Sequence, residues 1–139
     1  MLPLKLRKAN PSDHNLIFKT WLRSYAGSAF ANDIDASIYF SEHNELIKKV
    51  LFKVDVFCAV SEEDETQVIG WMACEFNGIH ILHYMAVKKL YWRMGVGRML
   101  IQELKPSFVY THKTELFDKS FAGKNMYNPY LFYRRALCE

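Results

Sequence analysis

The sequence predicts one α+β domain spanning residues 1–139, and three observations carry that prediction. Segments with the two-residue period of a half-buried strand alternate with segments whose apolar residues recur at helical spacing. Half of the 139 residues are hydrophobic and 15% are aromatic, enough for one sizeable core and too apolar for a disordered chain. No internal repeat, linker or low-complexity stretch divides the chain.

The elements follow in chain order. Leu2, Leu4 and Leu6 alternate as a strand. Ser12 then offers an N-cap for a helix whose inward face is Leu16, Ile17, Trp21 and Tyr25. Residues 26–37, small and polar, read as a loop. Leu46, Ile47, Val50 and Leu51 mark one face of a second helix over residues 41–52. Three strands come next, at 54–60, 67–76 and 79–87. A charged surface turn, "SEEDET", separates the first two. Asn77-Gly78 joins the last two as a hairpin, because both turn positions tolerate positive φ. After Gly95, residues Val96, Met99, Leu100 and Leu104 predict an amphipathic helix. "KPSFVYTHKT" reads as a short strand behind a proline turn. "ELFDKSFAGKN" fits either type, and "MYNPYLFYRRAL" reads as a terminal aromatic strand.

Several function classes are disfavoured at once. The net charge of +3 suits an anionic ligand but is too small to argue for nucleic acid by itself. No apolar run approaches the roughly 20 residues of a membrane helix. The N-terminus turns charged at once, without a signal-peptide core. Cys58, Cys74 and Cys138 show no metal spacing and form no even disulfide set, so a reduced, cytoplasmic protein without a metal is expected.

The stretch "MAVKKLYWRMGVGRMLIQEL" sets two of the six glycines, Gly95 and Gly97, between a strand end and a helix start. The first turn of a helix has unpaired amides and a partial positive charge. Glycines let an anion approach such amides, and Arg93 and Arg98 add donors suited to phosphate. A bare G-x-G also fits an ordinary tight turn. The third glycine of a dinucleotide fingerprint and the G-K-S/T of a P-loop are both missing.

This stretch resembles motif A of the GNAT superfamily of N-acetyltransferases, in which a strand leads through a basic and aromatic segment into Q/R-x-x-G-x-G/A. Trp92 stands here in place of the first Gln or Arg. "LKLRKANPSDHNLI" is similar to the family's first strand and helix entry. The resemblance implies a mixed, mostly antiparallel central sheet flanked by helices. It also implies acetyl-CoA as co-substrate, held by Met85, Ala86, Val87, Trp92, Arg93, Met94, Gly95, Val96, Gly97 and Arg98. The implied reaction is transfer of acetyl to an amine by direct attack in a ternary complex.

Such chemistry needs a base for the amine proton and an acid for the departing thiolate. The family position that commonly carries a Glu base corresponds to Ile81. With strand period 2, Ile81, His83, Met85 and Val87 share a face, which makes His83 the base candidate. Glu75 is the alternative base. Tyr127 is chosen as the acid from Tyr110, Tyr127, Tyr130 and Tyr133, although no spacing selects it. Thr111 and His112 are candidates to line the acceptor cleft, and His80 faces away. Cys58 and Cys74 read as core residues on adjacent strands. The partners implied are acyl-CoA and an amine on a small molecule, a protein or a nucleic acid. For the last, Arg134 and Arg135 beside the terminal rings would serve as a stacking surface. A non-catalytic CoA-binding or protein-interaction module is the other reading. Oligomeric state stays open, a homodimer included.

Overall fold

The computed structural model describes residues 3–121 and 123–138. Leu2 of the predicted first strand and Ala122 of the ambiguous segment lie outside them. One six-stranded sheet runs in the order β1 (Leu4–Lys8), β2 (Asp55–Ser61), β3 (Val68–Glu75), β4 (Ile81–Val87), β5 (Val109–Tyr110) and β6 (Met126–Tyr127). The first four strands pair antiparallel, whereas β4–β5 and β5–β6 are parallel. Helices α1 (His14–Tyr25), α2 (Ala29–Asn32), α3 (Ala36–Leu51), α4 (Val96–Ile101), α5 (Glu115–Phe121) and α6 (Tyr130–Leu137) flank it. The α+β expectation with a mostly antiparallel sheet is met.

Strand alternation divides the core by sheet face. On one face, Trp21, Ile47, Val50, Cys58, Trp71, Tyr84 and Phe132 pack under α1, α3 and α6. On the other, Ile69, Met72, Cys74, Leu82, Leu100 and Phe117 pack under α4 and α5. Trp21 stacks on Tyr84 with ring centroids 5.3 Å apart, which ties α1 to β4.

Four local expectations are corrected. A 3-10 turn at Pro11–Asp13 enters α1, so Ser12 lies inside a turn and is not the N-cap. Asp13 organises that entry, accepting the Asn10 amide at 2.7 Å and pairing with Arg7 at 2.6 Å. Residues 26–37 are not a loop. Ser28 accepts the Ala31 amide to cap α2, and Asp35 accepts the Ser37 amide to start α3 at Ala36. The helix after Gly95 ends at Ile101, although Leu104 still turns inward and is buried. The terminal aromatic segment is β6 followed by a helix. Asn128 accepts the Tyr130 amide, and Phe132 and Ala136, four residues apart, are the buried positions of α6.

Cys58 and Cys74 are core residues on adjacent strands, as expected, but they are not in contact across the pair. Cys58 pairs in register with Trp71, and Cys74 with Asp55. They belong to opposite faces, and burial pushes their thiols up to about 11 and about 12. Among the described residues, no helix is long and apolar enough to cross a membrane.

Candidate active site

Two irregularities in β4 build the site. The first is a fork. β5 pairs with β4 only at Ile81–Val109 and Leu82–Tyr110, and the last bond between them runs from the Thr111 amide to the Leu82 carbonyl at 3.0 Å. From His83 onward, β4 pairs as a strand only with β3. The second is a bulge. Ala73 faces Tyr84 while Cys74 faces Leu82, which leaves His83 as the unmatched residue.

The bulge changes which residues share a face. Met85 and Val87 join the cluster under α4, as alternation predicts. His83 instead turns with Tyr84 to the opposite face, where its ring lies 6.1 Å from that of Phe132. The expectation that Ile81, His83, Met85 and Val87 form one face therefore fails: Leu82, not Ile81, shares the cluster of Met85 and Val87, and His83 turns away, because one extra residue resets a two-residue period.

His83 and Glu75, predicted as alternative bases, touch. His83 Nε2 lies 2.5 Å from Glu75 Oε2, and the ring is fully buried. Arg135 of α6 holds the other oxygen of Glu75. Burial pushes the Glu75 carboxyl up, but the hydrogen bonds from His83 and Arg135 outweigh it and hold the group below its usual range. Arg135 is thus committed to an internal ion pair, and no spacing in the sequence announced it. Thr111, just past the fork, places its hydroxyl 3.4 Å from His83 Nδ1, 3.1 Å from the His83 carbonyl and 2.9 Å from His112 Nδ1. His112 Nε2 meets His43 Nε2 at 3.1 Å. His43 was also missed, being the polar member of an otherwise apolar helix face. Its spacing, four residues from both Tyr39 and Ile47, is the signal that was available.

Tyr127 sits on β6 with its ring 5.4 Å from Tyr110 and under the Lys113 ammonium. Its hydroxyl influences Tyr25, whose own hydroxyl is raised above its ordinary value mainly by burial. His80 does face away from this cluster and accepts the Lys105 amide at 2.9 Å.

Past Val87, a 3-10 turn at Lys89–Tyr91 leads through Trp92 to α4. Arg93 and Gly95 both take positive φ, 64° and 83°, so the backbone conformation itself favours glycine at 95. A Cβ on Gly95 would meet nothing within 4 Å. One on Gly97 would sit 3.5 Å from Met85 and 3.6 Å from Phe121, in ordinary contact. The first α-helical bond runs from the Met99 amide to the Gly95 carbonyl, so the amides of Val96, Gly97 and Arg98 precede it. Trp92, Arg93, Met94 and Arg98 are exposed around them. The Trp92 indole donates to the Val87 carbonyl at 2.7 Å.

A model of the acetyltransferase (GNAT) family matches residues 18–111, more than half of the chain. The chain belongs to that family. The GNAT match runs from α1 to Thr111, so it includes the fork, the bulge and the glycine turn. His112, Tyr127 and Arg135 lie beyond it. Solved structures of similar fold include a candidate acetyl transferase from Pyrococcus furiosus, with TM-score 0.55 and 18% identity over 98% of this chain and 93% of that one. YjaB from Escherichia coli, in its apo form, gives TM-score 0.53 and 22% identity over 72% of this chain. The matched part spans 63% of YjaB, somewhat under two thirds of its length. The PaiA N-acetyltransferase from Thermoplasma acidophilum, solved with coenzyme A, gives TM-score 0.50 and 14% identity over 73% of this chain and 69% of that one. No curated protein matches the chain.

Proposed function

We propose that this GNAT protein is an acetyl-CoA-dependent N-acetyltransferase whose base is the His83–Glu75 dyad. The observation that carries the reading is the placement of that dyad. A buried imidazole, oriented by an ionised carboxylate, stands at the bulge where β4 and β5 separate, and the same strand leads into the glycine turn.

The residues present fit the co-substrate. The open side of Gly95, the amides at the start of α4 and the exposed Arg93 and Arg98 suit a pyrophosphate, as the coenzyme A complex of the PaiA neighbour also suggests. Met85, Ala86, Val87, Trp92, Met94, Val96 and Gly97 complete the binding segment. Acetyl-CoA, when bound, supplies an acetyl group activated as a thioester. The protein's part is to position a neutral amine and take its proton. Glu75, ionised, accepts the Nε2–H of His83 and so leaves Nδ1 as the basic nitrogen, facing Thr111. Glu75 thereby orients the base and is placed to take the proton on from it. Tyr127 is the proposed proton donor to the thiolate. The acceptor is an amine, and the three free cysteines suit work in the cytoplasm.

The test is release of free thiol from acetyl-CoA against a panel of small amines and peptides, alongside thermal melts with CoA. Amine-dependent release, lost in His83→Ala with CoA stabilisation retained, supports the reading. Stabilisation by CoA without release for any amine would favour a CoA-binding module.

A further inference from the structure

Five polar side chains from four parts of the chain form one hydrogen-bonded file through the core. Glu75, His83, Thr111, His112 and His43 are 6%, 0%, 2%, 6% and 4% exposed. Successive contacts measure 2.5, 3.4, 2.9 and 3.1 Å. The transfer chemistry proposed above uses only the first three members. An apolar core tolerates so many polar groups only when each is satisfied, and satisfying them fixes where every proton sits.

The polarity can be worked out from the Glu75 end. An ionised carboxylate only accepts, so His83 carries a proton on Nε2, and the neutral ring presents a bare Nδ1. The Thr111 hydroxyl has one proton and three acceptors in reach. If it donated to His112, the carbonyl and Nδ1 of His83 would both face an oxygen without a proton. It therefore donates toward His83, whose carbonyl lies at 3.1 Å and whose Nδ1 lies at 3.4 Å, and accepts the Nδ1–H of His112. His112 Nε2 is then bare and accepts Nε2–H from His43. Burial keeps both outer rings neutral, since it lowers His43 to about 4 and depresses His112 well below its ordinary value. Among the described residues, His43 Nδ1 carries no hydrogen bond. Every donor in the file points the same way, toward Glu75.

We propose that this file is a one-way proton relay, taking a proton at His43 Nδ1 and delivering it to Glu75 Oε2. It rests on the acetyl-transfer reading and extends it to two residues outside the dyad. The entry lies beside Tyr25 and Phe30, at the end where His43 and His112 retain slight exposure. In the transfer the amine N–H bond breaks and an N–H forms at His43 Nδ1. The Nε2 proton of His43 then moves to His112 Nε2, and the Nδ1 proton of His112 to the Thr111 oxygen. The Thr111 proton moves to His83 Nδ1, and the Nε2 proton of His83 to the carboxylate. Each ring ends neutral in its other tautomer, and Glu75 ends as the acid beside Arg135. The proton later released past Arg135 matches the one the departing thiolate takes up. His43 takes the proton from the amine itself and is a catalytic residue in this reading, whereas His112 acts through its neighbours and is a positioning residue.

Two measurements test the relay. Nitrogen-15 NMR of the histidine rings in the substrate-free protein should show the proton on Nε2 in His43 and His83 and on Nδ1 in His112. An Nε2–H tautomer at His112 overturns the relay, whatever the turnover. In thiol-release assays with the amine that wild type uses best, His112→Ala and His43→Gln should each lower kcat about 100-fold, the usual scale of positioned proton transfer. KM for acetyl-CoA should stay within about twofold, and added imidazole should restore His112→Ala, as a merely structural histidine would not allow. Unchanged kcat in a folded His43→Gln also overturns the proposal. The expected tautomers with no turnover on any amine would instead remove the acetyl-transfer reading and leave the file's polarity supported.

Discussion

Replacing His43 with glutamine should make the protein markedly less sensitive to mild acid. The His43 ring is sandwiched between Tyr39 and Phe132, with centroids 5.2 and 5.3 Å away, and burial lowers its pKa to about 4. In the unfolded chain an imidazole titrates near 6.5. A folded pKa below the unfolded one means that the unfolded state binds the proton first. The stability contributed by the neutral ring is therefore complete above about pH 6.5 and falls as pH drops toward 4. At pH 5 the deficit is about 1.5 pH units at 1.36 kcal/mol each, or about 2 kcal/mol, rising to about 3 kcal/mol by pH 4. Glutamine keeps an N–H for His112 Nε2 but does not titrate. The assay is urea unfolding of both proteins at pH 7.5 and pH 5.0. At the lower value Glu75, held below the usual carboxylate range, is still ionised. Wild type should lose about 2 kcal/mol more than His43→Gln. Equal losses in the two proteins would refute the argument that burial sets the charge state of this ring.

Arg135→Met should leave Glu75 buried with only His83 as partner, which raises its pKa, weakens the dyad and lowers kcat more than KM. Its stability cost should be about 1–3 kcal/mol by urea melts, below the range for fully buried pairs because the Arg135 side chain is one-third exposed. Gly95→Val should strain the positive-φ position by about 1–2 kcal/mol and abolish thermal stabilisation by CoA, whereas Gly95→Asn should fold nearly as well as wild type. Asp35→Ala removes the acceptor of the Ser37 amide and should cost about 1 kcal/mol, with loss of helical circular dichroism from the start of α3 at partial unfolding.

How much was legible in the sequence differs from one element to the next. The strands at 54–60, 67–76 and 79–87 were readable because β-branched and aromatic residues fill them and Asn77-Gly78 marks the reversal. The entries to α2 and α3 were readable in principle, since Ser28 and Asp35 are capping residues, but small neighbours concealed them. The α6 segment misled because tyrosine and phenylalanine favour strands. Only the burial of Phe132 and Ala136 revealed helical spacing. In the candidate site, the glycine turn and the choice of His83, Glu75, Thr111 and His112 came from local pattern and resemblance. That Glu75 and His83 are partners, and not rivals, came from the register of β3 against β4.

The sequence by itself determined the domain class, most of the strands and the turn leading into α4, because these depend on side chains within a few residues of one another. The bulge at His83, the ion pair from Arg135 and the union of His43 with His112 were decided only in the folded chain. Each depends on atoms that lie 60 or more positions apart in sequence or on a single-residue slip between strands. No local periodicity encodes such distances. They are set when two sheet faces close over a core that must satisfy every polar group it buries.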